Sequence, residues 1–323
     1  MPVSNIAPVG VPVPTPGAHG GDATSLAAAL GIEPSEILDL SATLNPLAPD
    51  VAALVRRHAE AVRRYPDPRH ASAALAEAIG IDTERVLLTN GGSEAIALVA
   101  AELGAASIVE PEFSLWRRHL STVRPVYEAV AHERVRSNPN NPTGALAGPD
   151  EIAACWDEAF FALSTGRWTR GDADRGAIVV GSLTKLFACP GLRLGYVLGP
   201  TAELIARLRE RQPMWSVNTL GLGILPELLE MTRLSEWADE IAGLRGSLAT
   251  LFSAAGFTVD PAAAPWVLVR EAGWLRDALG RRGVLVRDCA SFGLKATVRV
   301  AVPGPSGLER VAGALDRAIG DRG

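Results

Sequence analysis

A serine three residues ahead of a lysine, with an arginine eight residues beyond it, is a spacing that can do chemistry. Ser182, Lys185 and Arg193 stand in the run Gly181-Ser182-Leu183-Thr184-Lys185-Leu186-Phe187 and its continuation Pro190-Gly191-Leu192-Arg193-Leu194-Gly195-Tyr196. A lysine amine can condense with an aldehyde cofactor, while a hydroxyl and a guanidinium converge on an anionic tail of the same molecule. Gly191 and Gly195 keep the nearby backbone compact enough for close approach. Read alone, Lys185 is also compatible with a solvated surface lysine. Ser-x-x-Lys is the nucleophile motif of β-lactamase-type enzymes too, but their companion motifs are absent from this chain. The arginine and the glycines favour the aldehyde.

These groups need elements to carry them. Ala177–Ser182 is an apolar run that predicts a strand delivering Lys185, and residues 193–199 predict another. Upstream, Val86–Thr89 predicts a buried strand, and Asn90-Gly91-Gly92-Ser93 opens a helix running to Gly104. Strand, glycine turn and helix N-terminus make an anion-binding arrangement. An ordinary helix start with Ser93 as its cap reads equally well. Ser107–Glu110 predicts a strand leading to Phe113, which either stacks on a cofactor ring or fills the core. Short β-like runs follow at Val126–Val130 and Val135–Ser137. The second leads into Asn138-Pro139-Asn140-Asn141-Pro142-Thr143-Gly144, where two prolines fix the backbone on either side of the asparagine pair. Asp157-Glu158-Ala159-Phe160 then offers a carboxylate, which beside a pyridinium nitrogen would keep that nitrogen protonated.

The remaining elements are predicted more coarsely. A flexible arm at residues 1–18 precedes His19-Gly20-Gly21, a helix over 24–30, a strand over 37–41 and a turn at Asn45-Pro46. His19 suits a plain loop or a ligand contact. Helices are expected over 50–64 and 71–79, with the proline-fixed loop Arg64-Tyr65-Pro66-Asp67 between them. After a loop at 211–218, helical segments run over 219–255. Strands at 257–260, 265–270, 284–289 and 297–302 alternate with helices at 272–282 and 306–320, a smaller α/β unit.

Composition limits the function. The 323 residues are 48% hydrophobic and 21% charged, with net charge −5. That is enough chain for about two domains, and it offers no basic field for nucleic acid. No apolar run approaches the ~18 residues of a membrane span, and the first residues lack the basic region of a signal peptide. Cys155, Cys189 and Cys289 show no metal-ligand spacing. A reduced, cytoplasmic setting is expected, with no metal, nucleic acid or membrane partner.

Taken together, Tyr65-Pro66-Asp67, Asn140-Asn141-Pro142-Thr143-Gly144, Asp157-Glu158-Ala159, Ser182-x-x-Lys185 and Gly191-Leu192-Arg193-x-Gly195 resemble the fold-type I pyridoxal-phosphate enzymes. Within them, the chain is similar to the branch holding histidinol-phosphate aminotransferase and the threonine-phosphate decarboxylase of cobalamin biosynthesis. His19-Gly20-Gly21, Ser41-x-x-x-Asn45-Pro46-Leu47, Asp157-Glu158-Ala159-Phe160, Ser182-Leu183-Thr184-Lys185 and Trp215-Ser216-Val217-Asn218 lean toward the decarboxylase. The resemblance covers residues 19 to about 302. It implies an α/β architecture with a large cofactor domain at 45–225, built on a trimmed, mostly parallel sheet of seven-stranded type. A small α/β domain at 226–323 and an N-terminal arm at 1–44 packing with it complete the chain.

The resemblance also implies roles, with pyridoxal 5′-phosphate as cofactor. Lys185 would bind it covalently and shuttle protons, Asp157 would face its ring nitrogen, and Asn141 its phenolic oxygen. Gly92, Ser93, Ser182 and Arg193 would hold its phosphate, and Phe113 would stack on its ring. Tyr65 would reach the cofactor phosphate of a partner subunit in a homodimer. Arg299 would grip the substrate's carboxylate and Arg287 its phosphate, with His19 and Asn45 nearby. Read without the family, either arginine is an ordinary surface ion pair. Phe160 replaces the tyrosine that the sister aminotransferases usually carry.

The pattern is broken in two places: the stretch between Phe113 and Asn141 is short, and so is the one after Gly144. Only 12 residues separate Gly144 from Asp157, where relatives fit a helix and a buried strand. Either that helix or much of that strand must be missing, which bears on Asp157 more than on Lys185. Three readings stay open: decarboxylation of L-threonine O-3-phosphate, transamination of histidinol phosphate or a related amine, and a trimmed homologue without catalysis.

Overall fold

A computed structural model describes residues 12–17, 19–125 and 131–322. The expected strand at Val126–Val130 and most of the opening arm lie outside these residues. The chain divides into two compact units: Leu47–Asn141 with Ala145–Asp239, and Met1–Pro46 with Pro142–Gly144 and Glu240–Gly323.

The larger unit is a seven-stranded sheet. Its strands are β2 (Val86–Asn90), β3 (Ala105–Ile108), β4 (Thr122–Arg124), β5 (Arg134–Ser137), β6 (Cys155–Asp157), β7 (Ile178–Ser182) and β8 (Leu194–Leu198), in the order β2-β8-β7-β6-β5-β3-β4. The pairs β7–β6, β6–β5, β5–β3 and β3–β4 are parallel, and β8 runs antiparallel to both its neighbours. Every residue of β6, β7 and β8 is buried. That explains their apolar runs without alternation, the mark of strands covered on both faces. Helices α2 (Val51–Arg57), α3 (Arg69–Ile79), α4 (Gly91–Leu103), α5 (Ser114–His119), α6 (Phe161–Thr165), α7 (Leu183–Leu186), α8 (Ala202–Arg211) and α9 (Thr219–Glu230) complete it. α4 packs its Ile96 and Val99 with Leu87, Val135, Val180 and Val197 of the sheet in one core.

The smaller unit holds a five-stranded sheet, β1-β11-β12-β10-β9. Its strands are β1 (Leu38–Leu40), β9 (Val259–Asp260), β10 (Trp266–Val269), β11 (Val284–Asp288) and β12 (Val298–Ala301). β1 joins β11 in parallel, and the other pairs are antiparallel. Helices α1 (Ala23–Leu30), α11 (Leu275–Gly280) and α12 (Pro305–Gly320) belong here, and α10 (Leu234–Ala254) is divided between the units.

Several expectations need correction. The helix expected over 50–64 is two pieces, α2 and a 3-10 turn over Ala59–Arg63, broken at His58 (φ −97°, ψ 8°), whose ring is held by Glu227 at 2.5 Å. The sheet keeps all seven strands, because β4, unforeseen in the sequence, supplies the edge. The strands expected at 107–110 and 257–260 shift or shorten to β3 and β9, and the helix at 272–282 shortens to α11. The trimming falls on the β5–β6 connection. It contains no helix, and β6 keeps three residues, in register with Ser137 of β5 and Val180 of β7.

The lost helix has a replacement. Trp156 of β6 is fully buried, with the Arg170 guanidinium 4.9 Å and that of Arg136 6.0 Å from its ring. Arg170 Nη2 also donates to the carbonyls of Gly148 at 2.8 Å, Pro149 at 2.7 Å and Glu151 at 2.9 Å. One side chain therefore satisfies three backbone acceptors of this helix-free connection and packs over the buried Trp156 ring.

Candidate functional site

The C-terminal ends of β2 and β7, with the residue entering β8, bring three of the sequence motifs together. β2 ends at Asn90, and α4 starts at the next residue, because Gly91 takes φ +74° and turns the chain at once. Ser93 is accordingly the third helical residue and not the cap. Asn90 holds that position, and its N–H donates to Glu94 Oε2 at 2.7 Å. The first N–H groups of a 13-residue helix thus stand open beside Gly91 and Gly92.

Arg193 approaches the same spot from before β8. Its backbone is left-handed, at φ +53°, a conformation costing a residue with a Cβ roughly 1–2 kcal/mol. A Cβ on Gly91 would lie 2.5 Å from Arg193 Nη2, so any other residue there would push the guanidinium out of its present position. A Cβ on Gly195 would lie 2.4 Å from the Gly91 carbonyl carbon, so β8 and this turn are in backbone contact. Ser182 closes the cradle from β7, its Cβ 3.5 Å from the position of a Cβ on Gly92 and its hydroxyl 2.8 Å from that of Thr184. Helix N–H groups, a hydroxyl and a guanidinium around a space cleared of side chains fit a phosphate.

Lys185 lies within the single turn of α7, directly after β7. Asp157 ends β6 and is 5% exposed. Burial pushes its carboxyl up to about 6, against the lowering pull of the Ala159 N–H at 3.1 Å, the Trp116 indole and the charge of Lys185. That indole N–H is itself buried and outside hydrogen-bonding geometry to any acceptor. The trimmed connection thus leaves Asp157 buried and electrostatically coupled to Lys185. A lysine, a buried carboxylate and a phosphate cradle are the donor set that pyridoxal 5′-phosphate requires.

Phe113 is half-buried and packs against the main core, and Asn141 is 8% exposed. Tyr65 is 77% exposed, its ring 4.7 Å from that of Trp215.

The other four candidates belong to the smaller unit. Arg287 of β11 and Arg299 of β12 are register partners, both buried. Their guanidinium carbons lie 5.6 and 5.9 Å from the ring of Phe292, and Arg299 also sits 4.9 Å over Trp266. Burial lowers Arg299 to about 10 and shifts Arg287 the same way. Arg287 Nη1 donates to the Gly17 carbonyl at 3.0 Å, just ahead of exposed His19. Asn45 is buried. The surface ion pair that these arginines suggest when read alone is not what their burial describes.

Glu112 and Glu158 escaped the sequence reading. Burial pushes each carboxyl up to about 7. Glu158 adjoins Asp157 and accepts from the Arg170 N–H at 3.2 Å. Its place in Asp157-Glu158-Ala159 was the available signal; Glu112 had none. Among the described residues no cluster of His, Cys, Asp or Glu is suited to a metal, and no helix is long and apolar enough to cross a membrane.

Comparison with known proteins follows the same lines. Residues 135–315 match the model of the family described as aminotransferase class I and II. The chain is 31% identical to histidinol-phosphate aminotransferase 2 of Methylococcus capsulatus, over 88% of this chain and 90% of that one. It is also 31% identical to the threonine-phosphate decarboxylase of Salmonella typhimurium, over 94% and 96%. In fold it is similar to the histidinol-phosphate aminotransferase of Clostridium acetobutylicum, with TM-score 0.77 at 22% identity, covering 88% of this chain and 100% of that one. The L-threonine-O-3-phosphate decarboxylase of Porphyromonas gingivalis gives 0.71 at 21%, covering 86% and 99%. With a lysine, a buried carboxylate and a phosphate cradle on a mixed seven-stranded sheet, the chain belongs to the class I and II aminotransferase family.

Proposed function

We propose that this chain is a pyridoxal-phosphate enzyme that decarboxylates L-threonine O-3-phosphate to aminopropanol phosphate, a step of cobalamin biosynthesis. The observation that carries the reading is the pair Arg287 and Arg299, two buried guanidinium groups on adjacent strands. Two guanidinium forks side by side can each take a carboxylate or a phosphate. A substrate with a carboxylate and a phosphate offers one to each fork at once, whereas histidinol phosphate has only the phosphate and would leave both forks filled only by the two-carboxylate 2-oxoglutarate of the other half-reaction.

The cofactor is pyridoxal 5′-phosphate. When bound, it supplies an electron-withdrawing ring that accepts the electron pair of the bond broken at Cα. Lys185 would hold its aldehyde carbon until the substrate's amine takes its place, and its freed amine would then return a proton to Cα once carbon dioxide has left. Gly92, Ser93, Ser182 and Arg193 hold its phosphate, Asp157 keeps its ring nitrogen protonated, Asn141 donates to its phenolic oxygen, and Phe113 lies on its ring. Phe160 has no hydroxyl to donate, which leaves Asn141 as the main partner of that oxygen. Arg299 holds the substrate's carboxylate and Arg287 its phosphate, so the two anchors set the rotation about the Cα–N bond and thereby which bond breaks. His19 and Asn45 lie on the substrate side. The enzyme works as a cytoplasmic homodimer in which Tyr65 reaches the partner's cofactor phosphate. Its domains are an arm at 1–44, a cofactor domain at 45–225 and a small domain at 226–323.

Transamination of histidinol phosphate is the second reading, favoured by an identity to that aminotransferase equal to the identity to the decarboxylase. Incubation with threonine phosphate and no keto acid separates the two. Release of carbon dioxide with aminopropanol phosphate supports the lyase. Strict dependence on 2-oxoglutarate or glutamate, with no carbon dioxide, replaces it with the aminotransferase.

A further inference from the structure

Glu112 is 4% exposed, in the turn between β3 and α5. A carboxylate withdrawn from water must be met by donors, and four converge on this one. Oε1 accepts from the Phe113 N–H at 2.7 Å and from the Ser137 hydroxyl. Oε2 accepts from the Ser137 N–H at 2.9 Å and, at the long limit, from the Asn140 side-chain amide at 3.4 Å. The same amide donates to the Pro111 carbonyl at 3.0 Å.

The sheet explains why a side chain is needed there. β3 pairs with β5 only as far as Ile108 and Val135, so the last residues of β5 run on beyond their neighbour on that edge. Glu112 takes the Ser137 N–H that a longer β3 would have taken. On its other edge Ser137 is the register partner of Asp157, and the Asn138 N–H donates to the Asp157 carbonyl at 2.8 Å. One carboxylate is therefore bonded to the backbone of Phe113, to the residue before Asn141 and to the strand partner of Asp157.

We propose that Glu112 is a positioning residue for the cofactor ring, holding Phe113, Asn141 and Asp157 in one fixed arrangement without touching the cofactor. This rests on the assignment of those three residues to the ring. The chain tunes its cofactor geometry through a carboxylate one layer behind the residues that meet it. An apolar or short residue at 112 would leave the Ser137 N–H and the Asn140 amide to find water or shift.

The test uses the full-length protein as wild type, Glu112→Ala and Glu112→Asp, which keeps the charge but withdraws it by one methylene. Three quantities are read: the dissociation constant for pyridoxal 5′-phosphate by visible absorption, the circular dichroism induced in the bound chromophore, and the thermal midpoint of the cofactor-free protein. The expected result is a dissociation constant raised about tenfold in Glu112→Ala, as for the loss of a charge-assisted contact, with a weakened induced dichroism. Glu112→Asp is expected to fall between the two. If Glu112→Ala fails to fold, Glu112→Asp is read alone for the same loss. A lowered thermal midpoint with wild-type affinity and dichroism overturns the proposal, because Glu112 then serves only the fold. Phe113→Ala and Asn141→Ala in parallel test the underlying assignment. If both bind the cofactor as wild type does, that assignment fails and the proposal falls with it, whatever Glu112 does.

Discussion

The Arg193 guanidinium occupies the space that a side chain at residue 91 would need, its Nη2 2.5 Å from the position of a Cβ on Gly91. Each residue holds a left-handed backbone, so the pair is a joint constraint: the arginine can be there only because the glycine is. Arg193→Ala is expected to weaken cofactor binding about tenfold to a hundredfold, the ~1.5–3 kcal/mol of a charge-assisted contact. Gly91→Ala should cost as much by displacing the guanidinium. Cofactor titration followed by absorbance checks both, and unchanged affinity in Arg193→Ala would make it a structural residue only.

Lys185→Ala is expected to abolish the visible chromophore that borohydride bleaches and fixes. Lys295 is the chain's other lysine, and it is exposed beyond Gly293 in the smaller unit. A reducible chromophore surviving in the variant would move the chemistry away from residue 185.

Arg299→Ala and Arg287→Ala should separate by ligand. Loss of Arg299 is expected to lower kcat/KM for threonine phosphate about tenfold or more while sparing inhibition by inorganic phosphate. Loss of Arg287 is expected to remove that inhibition. The same response from both variants would mean that the pair acts as one site.

The buried carboxyls set a pH trend in the cofactor-free protein. Asp157 is raised to about 6, Glu112 to about 7 and Glu158 to about 7, each by burial first. Raised carboxyls bind more protons folded than unfolded, so the stability these three contribute is greatest near pH 4 and falls as pH rises toward 7. Above that it levels off with respect to these groups. The groups facing them are Lys185 for Asp157, Asp157 and Arg136 for Glu112, and Arg170 and Asp172 for Glu158, with Cys155 and Tyr196 facing both Asp157 and Glu158. Thermal midpoints between pH 4.5 and 7.5 test the trend, and Glu112→Gln should flatten it. A midpoint that climbs with pH across this window would contradict it.

Tyr65 is 77% exposed with its ring against Trp215, itself 56% exposed, and Met214, next to Trp215 in sequence, is 75% exposed, so large apolar side chains stay uncovered in the single chain. Exposed apolar groups of this size are a mark of contact surfaces. Sedimentation should give a homodimer at micromolar concentration. A fully active, cofactor-saturated monomer would be the contrary result.

What could be read in the sequence follows from how locally each part is determined. The cradle was legible because a hydroxyl, a lysine, an arginine and two glycines stand at fixed spacing in one continuous stretch, and the second glycine pair closes a strand–helix turn. Of the two readings left open for Ser93, the cap fails because a left-handed Gly91 starts the helix three residues earlier than a Ser93 cap would, a backbone choice that residue types alone leave undecided. β4 escaped notice because three residues of an exposed edge carry no apolar run. Glu112 was invisible for a different reason. Its role depends on where β3 stops pairing and on residues 25 positions away, and nothing in Pro111-Glu112-Phe113 encodes that.

The β5–β6 connection has a consequence for the order in which the chain can fold. A helix satisfies its carbonyls through bonds only four residues apart. The segment over 148–151 reaches further: the acceptors of Gly148, Pro149 and Glu151 wait for Arg170, some twenty residues further along. Arg170 in turn is aligned by stacking on Trp156, which needs β6 in place. With no helix in it, the connection is held by contacts of longer sequence separation, the kind that close later in folding than local ones do.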